Sequence, residues 1–254
     1  MIKKLYTIGD SWTYGWGLPG SNDYKVHKKD AWPTLLSQEF NCELINESWG
    51  GAPNDWMFRK TIEWVSFQEN LDDTILIVGW SEPNRREELF RFYNTCHIES
   101  DDVEKFIYTK LYNDELSHYK SICYMVSLQE FLKSKNVKYL FYQPWYDLVG
   151  CEEKLLDSRE QRERMNWLFK NDVRHDYQIE CYTDELTIGK IAEKVDKKYL
   201  VGPVVDEVKR IMSGVYGKTD DGLPKMHPNK NDHKVMCEFI KEKLLELYFG
   251  KEKR

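Results

Sequence analysis

Apolar and β-branched residues gather in four short runs, Lys4 to Ile8, Glu43 to Asn46, Thr74 to Trp80 and Lys138 to Gln143, and each reads as a strand. The run Thr74-Ile-Leu-Ile-Val-Gly79 is apolar without alternation, the pattern of a strand covered by helices on both faces. Between these runs, apolar residues recur at helical spacing over Ala31 to Phe40, Asn54 to Glu69, Arg85 to Tyr93 and Val103 to Ser134. Strand and helix therefore alternate, which predicts a parallel, doubly wound α/β sheet. A last helix is predicted over Asp232 to Tyr248, where Val235, Met236, Phe239, Ile240, Leu244, Leu247 and Tyr248 recur at three and four, starting after Pro228 and Asn229. The stretch from Cys151 to Gly217 mixes a charged helix, Glu152 to Asn171, with shorter pieces. It exceeds what a minimal five-stranded domain needs, so an insertion or lid is expected at 151–217.

At 254 residues, one elaborated domain is expected over 1–254. Aromatic residues make up 14%, enough to build a core and still line a cleft. The formal charge of −6 argues against a phosphate-binding surface, so no nucleic-acid partner is expected. The six cysteines are scattered, with no C-x-x-C pair and no His at zinc-ligand spacing. They read as reduced, buried hydrophobes, with no metal site and no disulfide framework. The apolar stretch Leu5 to Ile8 is too short for a signal-peptide core, and no segment reaches the length of a membrane span. A cytoplasmic protein with no membrane partner and no cofactor is expected; its oligomeric state is left open.

In a parallel α/β sheet, ligands bind at the carboxyl ends of the strands. The first strand closes on Gly9-Asp10-Ser11, which sets a hydroxyl on the turn into a helix while backbone amides point at an incoming oxyanion. The second closes on Asn46-Glu-Ser-Trp-Gly-Gly51-Ala-Pro-Asn54, a glycine turn opening a helix whose dipole favours negative charge. The third closes on Gly79-Trp80-Ser81-Glu82-Pro83-Asn84-Arg85. Near the C-terminus, Asp221-Gly-Leu-Pro-Lys-Met-His227-Pro228 sets a histidine in a Pro-bounded loop ahead of the last helix.

On these four sites, in this order along the whole chain, the sequence resembles the SGNH, or GDSL-type, family of esterases and lipases. The Gly-Trp-Ser element followed by Arg is similar to phage-encoded and related bacterial members, so a virion-associated setting is an alternative to the cytoplasm. The resemblance implies a three-layer α/β/α sandwich with a five-stranded parallel sheet, of flavodoxin-like topology, and a metal-independent serine mechanism. Ser11 matches the nucleophile and His227 the general base. The amides of Ser11 and Gly51 match two oxyanion donors, with Gly50 as the alternative to Gly51. Two positions depart from the family. Its third donor is usually an Asn two residues after the third-strand Gly, where this chain has Ser81, with Asn84 nearby as a stand-in. Losing one such donor typically costs roughly 100- to 1000-fold in rate. The family's Asp three residues before its His is here Pro224, so Asp221, then Asp220, or a backbone carbonyl, is the candidate to orient the imidazole. The implied activity is cleavage of a carboxylic ester, acetyl or short acyl, on a small molecule or carbohydrate, through an acyl-enzyme on Ser11. The same residues would serve acyl transfer. The competing reading is a binding module for carbohydrate or a protein partner that keeps the fold with weak or no catalysis, even as part of a phage assembly.

Blander roles exist for each residue: Ser11 as a helix cap, Gly50 and Gly51 as turn formers, and His227 as a surface histidine. His233 reads as facing solvent or the helix start. Trp12, Trp16, Trp49 and Trp80 fit a cleft wall or the core equally well. Gly15-Trp-Gly17-Leu-Pro-Gly20 spells a dinucleotide fingerprint, yet it begins too late and opens into a Pro-containing loop rather than a helix, which excludes a nicotinamide cofactor.

Overall fold

The four apolar runs do form strands, and a fifth joins them. In the computed structural model, which describes residues 2–18, 28–88, 91–93, 102–107, 114–144, 148–149, 185–204 and 227–250, the elements in chain order are β1 (Lys4–Gly9), α1 (Ser11–Tyr14), α2 (Trp32–Phe40), β2 (Glu43–Asn46), α3 (Asn54–Ser66), β3 (Thr74–Gly79), β4 (Arg86–Glu88), β5 (Arg91–Tyr93), α4 (Asp102–Phe106), α5 (Asp114–Ser134), β6 (Lys138–Tyr142), α6 (Glu185–Ala192), β7 (Leu200–Val201) and α7 (Lys230–Phe249). The main sheet runs β2-β1-β3-β6-β7, parallel throughout. β1 and β3 pair in register from Lys4↔Thr74 to Gly9↔Gly79, so their carboxyl ends finish level.

Alternate side chains of these strands enter two separate cores. Tyr6, Ile8, Leu76, Val78, Tyr139 and Phe141 pack against Met57 and Val65 of α3 and Ile122, Met125, Leu128 and Leu132 of α5. Leu5, Ile75, Ile77, Leu140 and Tyr142 pack against Trp32 and Leu36 of α2 and Met236, Ile240 and Leu244 of α7 on the other face. Two covered faces explain why β3 is buried at all six residues, and each such aliphatic side chain contributes about 1.5–3 kcal/mol. The result is a three-layer α/β/α sandwich around a five-stranded parallel sheet. No helix among the described residues is long and apolar enough to cross a membrane.

Local chemistry fixes the ends of the helices. α7 begins at a capping box: the Asn229 side chain accepts from Asp232 N–H, and the Asp232 carboxylate accepts from Asn229 N–H at 2.7 Å. Its far end is held where the Tyr248 hydroxyl donates to the Tyr139 carbonyl and accepts from the Tyr139 amide.

Two expectations are corrected. The stretch expected as a helix from Arg85 to Tyr93 instead holds two strands: β4 and β5 pair antiparallel, Arg86↔Tyr93. The cause is tertiary, since the Asp55 carboxylate accepts from Glu87 N–H, Arg59 clasps the Glu87 carboxylate through two nitrogens, and Phe92 meets Trp56 edge-on. The helix expected from Val103 to Ser134 is instead α4 and α5. The fifth strand, β7, comes from inside the stretch expected to be an insertion or lid, while its remaining parts, 151–184 and 205–217, lie outside the described residues. Of the cysteines described, Cys42, Cys123 and Cys237 are free, and Cys237 is buried.

Candidate active site

Asp10 and Ser11 stand where β1 turns into α1. Asp10 is extended and caps the helix, accepting from Trp12 N–H at 3.0 Å, and Ser11 is the first helical residue. α1 lasts one turn and ends at Gly15, whose φ of 86° is left-handed, so the first glycine of the apparent dinucleotide fingerprint serves as a helix stop. The strand-end glycines make the turn possible. A Cβ on Gly9 would collide with Thr13 Oγ1, and one on Gly79 would lie 2.5 Å from Tyr142 Cε1. Thr13 and Tyr142 instead close over the sheet edge, joined by a hydrogen bond between their hydroxyls.

Asp10 is fully buried and ties two strand ends together. Its Oδ2 accepts from the Ser81 hydroxyl at 2.9 Å and from Arg85 Nη1 at 3.1 Å. Burial pushes its carboxyl upward, while Arg85, the Trp12 amide and the Ser81 hydroxyl pull it back. Asn54, at the start of α3, ties the third loop in. Its Oδ1 accepts from Ser81 N–H at 2.7 Å, and its Nδ2 donates to the Ser81 carbonyl at 2.9 Å and to Ser121 Oγ at 3.1 Å. The loops after β1, β2 and β3 are thereby locked by one buried polar network.

The glycine pair lies in a turn closed by Ala52 N–H donating to the Trp49 carbonyl, with Gly51 at a φ of 75°. That conformation favours glycine at its second central position. Among the described residues, neither the Ser11 amide nor the Gly51 amide donates to a carbonyl. Trp16 joins this turn to the distant histidine. A Cβ on Gly50 would lie 3.3 Å from the Trp16 ring, whose centroid is 6.5 Å from that of His227, and a Cβ on Gly17 would lie 3.2 Å from His227 Cβ. His227 is partly buried. Burial pushes its imidazole below the ordinary 6.5; the Asp10 carboxylate opposes this and Arg85 reinforces it.

The remaining candidates fall as follows. The Ser81 hydroxyl is committed to Asp10, and Asn84 hydrogen-bonds Glu82. Asp220 and Asp221 lie outside the described residues. His233 corrects its expectation: it is wholly buried, because α7 turns it inward to accept the Trp32 amide on Nδ1 at 3.3 Å. The tryptophans divide, with Trp12 and Trp80 in the core while Trp16 is partly and Trp49 42% exposed. Sequence reading missed the roles of Asp10, Arg85 and Asn54. The only signal in the chain is that each lies at a strand end, and nothing in it shows that they meet. It also missed Gln143, just past β6, which is fully buried with neither amide atom hydrogen-bonded.

No curated protein matches the chain. Among solved structures, the chain is similar to a psychrotrophic esterase, EstA, from Pseudoalteromonas sp., at 10% identity and a TM-score of 0.52, over 98% of this chain and 100% of that one. It is also similar to a member of the lipolytic G-D-S-L family from Veillonella parvula, at 14% identity and a TM-score of 0.45, over 97% and 98%. An acetyl xylan esterase, AlAXEase, matches at 13% identity and a TM-score of 0.48, over 94% and 98%. At such identities the likeness is one of fold. The model of one sequence family matches residues 17–158, which takes in the turn at Gly50 and Gly51, Asn54, Ser81 and Arg85 but neither Ser11 nor His227. On that match, which spans more than half of its length, the chain belongs to DUF6071, a family of unknown function.

Proposed function

We propose that the protein is a serine-dependent hydrolase of carboxylic esters. The observation that carries the reading is convergence at one sheet edge. Ser11 opens a helix at the end of the interior strand β1, and His227 returns from the far end of the chain to the Trp16 ring that also covers the Gly50 turn. Ser11 Oγ attacks the acyl carbon as His227 takes its proton. The oxyanion is held by the amides of Ser11 and Gly51, and the alcohol leaves with the proton from His227. Water, deprotonated by His227, then releases the acid and frees Ser11. Asp221, or Asp220, orients the imidazole. Acetyl or short acyl esters, carbohydrate esters among them, are the proposed substrates. Burial that holds His227 below 6.5 keeps it a free base at neutral pH, as the step requires.

One observation favours a second reading, a binding module with weak catalysis: the hydroxyl of Ser81, at the third donor position, is bonded to Asp10. Hydrolysis of a short-chain 4-nitrophenyl ester series by wild type, Ser11→Ala and His227→Ala, each checked for folding, separates the two. Loss of turnover in both variants is expected. Equal rates in all three proteins would reject the hydrolase.

A further inference from the structure

Beside this network, between α3, the loop after β3 and α5, lies a small open pocket. Its charged lining comprises three cations, Arg85, Arg86 and Lys120, against one acid, Asp55. The acid is already occupied, because its two oxygens accept the Trp56 and Glu87 amides at 2.8 and 3.1 Å. Arg85 is paired with Asp10 and Glu82 and Arg86 with Glu88, acids that are not themselves among the lining residues. Lys120 is exposed and makes no ion pair with a described residue. Ser117 and Tyr124 add hydroxyl donors to the same wall.

The pocket adjoins the candidate active site through shared residues. Arg85 lines it and contacts Asp10, the neighbour of Ser11, while Asn54 lines it and holds Ser81. Guanidinium groups match planar or tetrahedral oxyanions, and a cation at a pocket wall attracts such groups from solvent. We propose that this pocket is a subsite for an anionic group, a carboxylate or phosphate, carried by the substrate. For its binding role the inference stands on the pocket alone; for catalysis it rests on the hydrolase reading. The preferred ester would then carry a negative charge on one side of the scissile bond.

The test compares 4-nitrophenyl hydrogen succinate with its neutral methyl ester, 4-nitrophenyl methyl succinate. Wild type is expected to prefer the charged ester by about ten- to a hundredfold in kcat/KM, as a charge-assisted contact provides. Lys120→Glu, at an exposed position, and Arg86→Gln are expected to reduce that preference tenfold or more and leave the rate on the neutral ester unchanged. Succinate and inorganic phosphate are titrated separately into Ser11→Ala and into Ser11→Ala/Lys120→Glu, followed by amide chemical shifts, to show which oxyanion binds. Saturable shifts at Arg86 and Lys120 that vanish in the double variant support the subsite even if neither ester turns over, in which case the hydrolase reading alone fails. Equal turnover of both esters, with no saturable shift from either anion, would overturn the subsite and leave the hydrolase standing.

Discussion

Lowering the pH should destabilise the fold through one residue, His233. Its Nδ1 accepts the Trp32 amide and its ring is wholly buried, and burial pushes the imidazole down to about 3, with Asp30 opposing and His227 adding to the shift. A folded pKa below the unfolded value means that the unfolded chain binds the proton first. The contribution is therefore complete above about 6.5, is lost as pH falls from there toward 3, and changes no further below that. Each pH unit inside the window costs about 1.4 kcal/mol, so going from pH 7 to 4.5 removes about 2.5 kcal/mol. Other groups titrate in the same range, and a paired variant subtracts them. In His233→Asn the amide oxygen can still accept the Trp32 N–H, and no ionisable group remains. Urea unfolding followed by tryptophan fluorescence, at pH 7 and 4.5, should show wild type losing about 2.5 kcal/mol more than the variant. Equal losses in the two proteins would refute the reasoning, as would an NMR titration in which the His233 ring protonates above pH 5.

Asn54→Ala strands the Ser81 amide and carbonyl in the interior, which should cost about 2–5 kcal/mol and lower the calorimetric midpoint by roughly 5–15 °C; a change under about 2 °C would remove the network from the account of stability. Asp10→Asn and Arg85→Gln should move the His227 imidazole in opposite directions, further down for the first and up for the second, because Asp10 supports its charge and Arg85 opposes it. NMR titration of His227 reads this directly, the acid limb of ester hydrolysis should follow it, and shifts of the same sign would contradict the assigned electrostatics. Gln143→Leu should raise stability by about 1–3 kcal/mol, since it replaces a buried amide without hydrogen bonds by an apolar group of similar size; destabilisation by that amount in urea unfolding would mean that the amide is satisfied in the native protein.

The polar network gives Ser81 a structural role. Ser81 stands where the resemblance places an amide donor, yet its hydroxyl serves Asp10 and its backbone serves Asn54. The position is part of the frame that holds the loops in place. A frame of buried hydrogen bonds is costly to break piecemeal, since each lost partner leaves another group unpaired.

Periodicity alone determined the four strands, the helices after the first and second strands, the C-terminal helix and the parallel sheet, because burial on two faces writes a continuous apolar run and burial on one face of a helix writes a repeat of three and four. The order of Ser11, the glycine pair and His227 was likewise legible, since strand ends and helix starts carry local turn and cap chemistry. Tertiary structure decided what depends on partners far apart in the chain. Arg86–Glu88 and Arg91–Tyr93 became paired strands because Asp55 and Arg59 hold Glu87. Leu200 and Val201 became a strand because the edge of β6 was open to them, and two residues are too few to show a period. Asp10 met Ser81 and Arg85, and His233 turned inward toward Trp32, because packing brings together charges and donors that no local spacing relates.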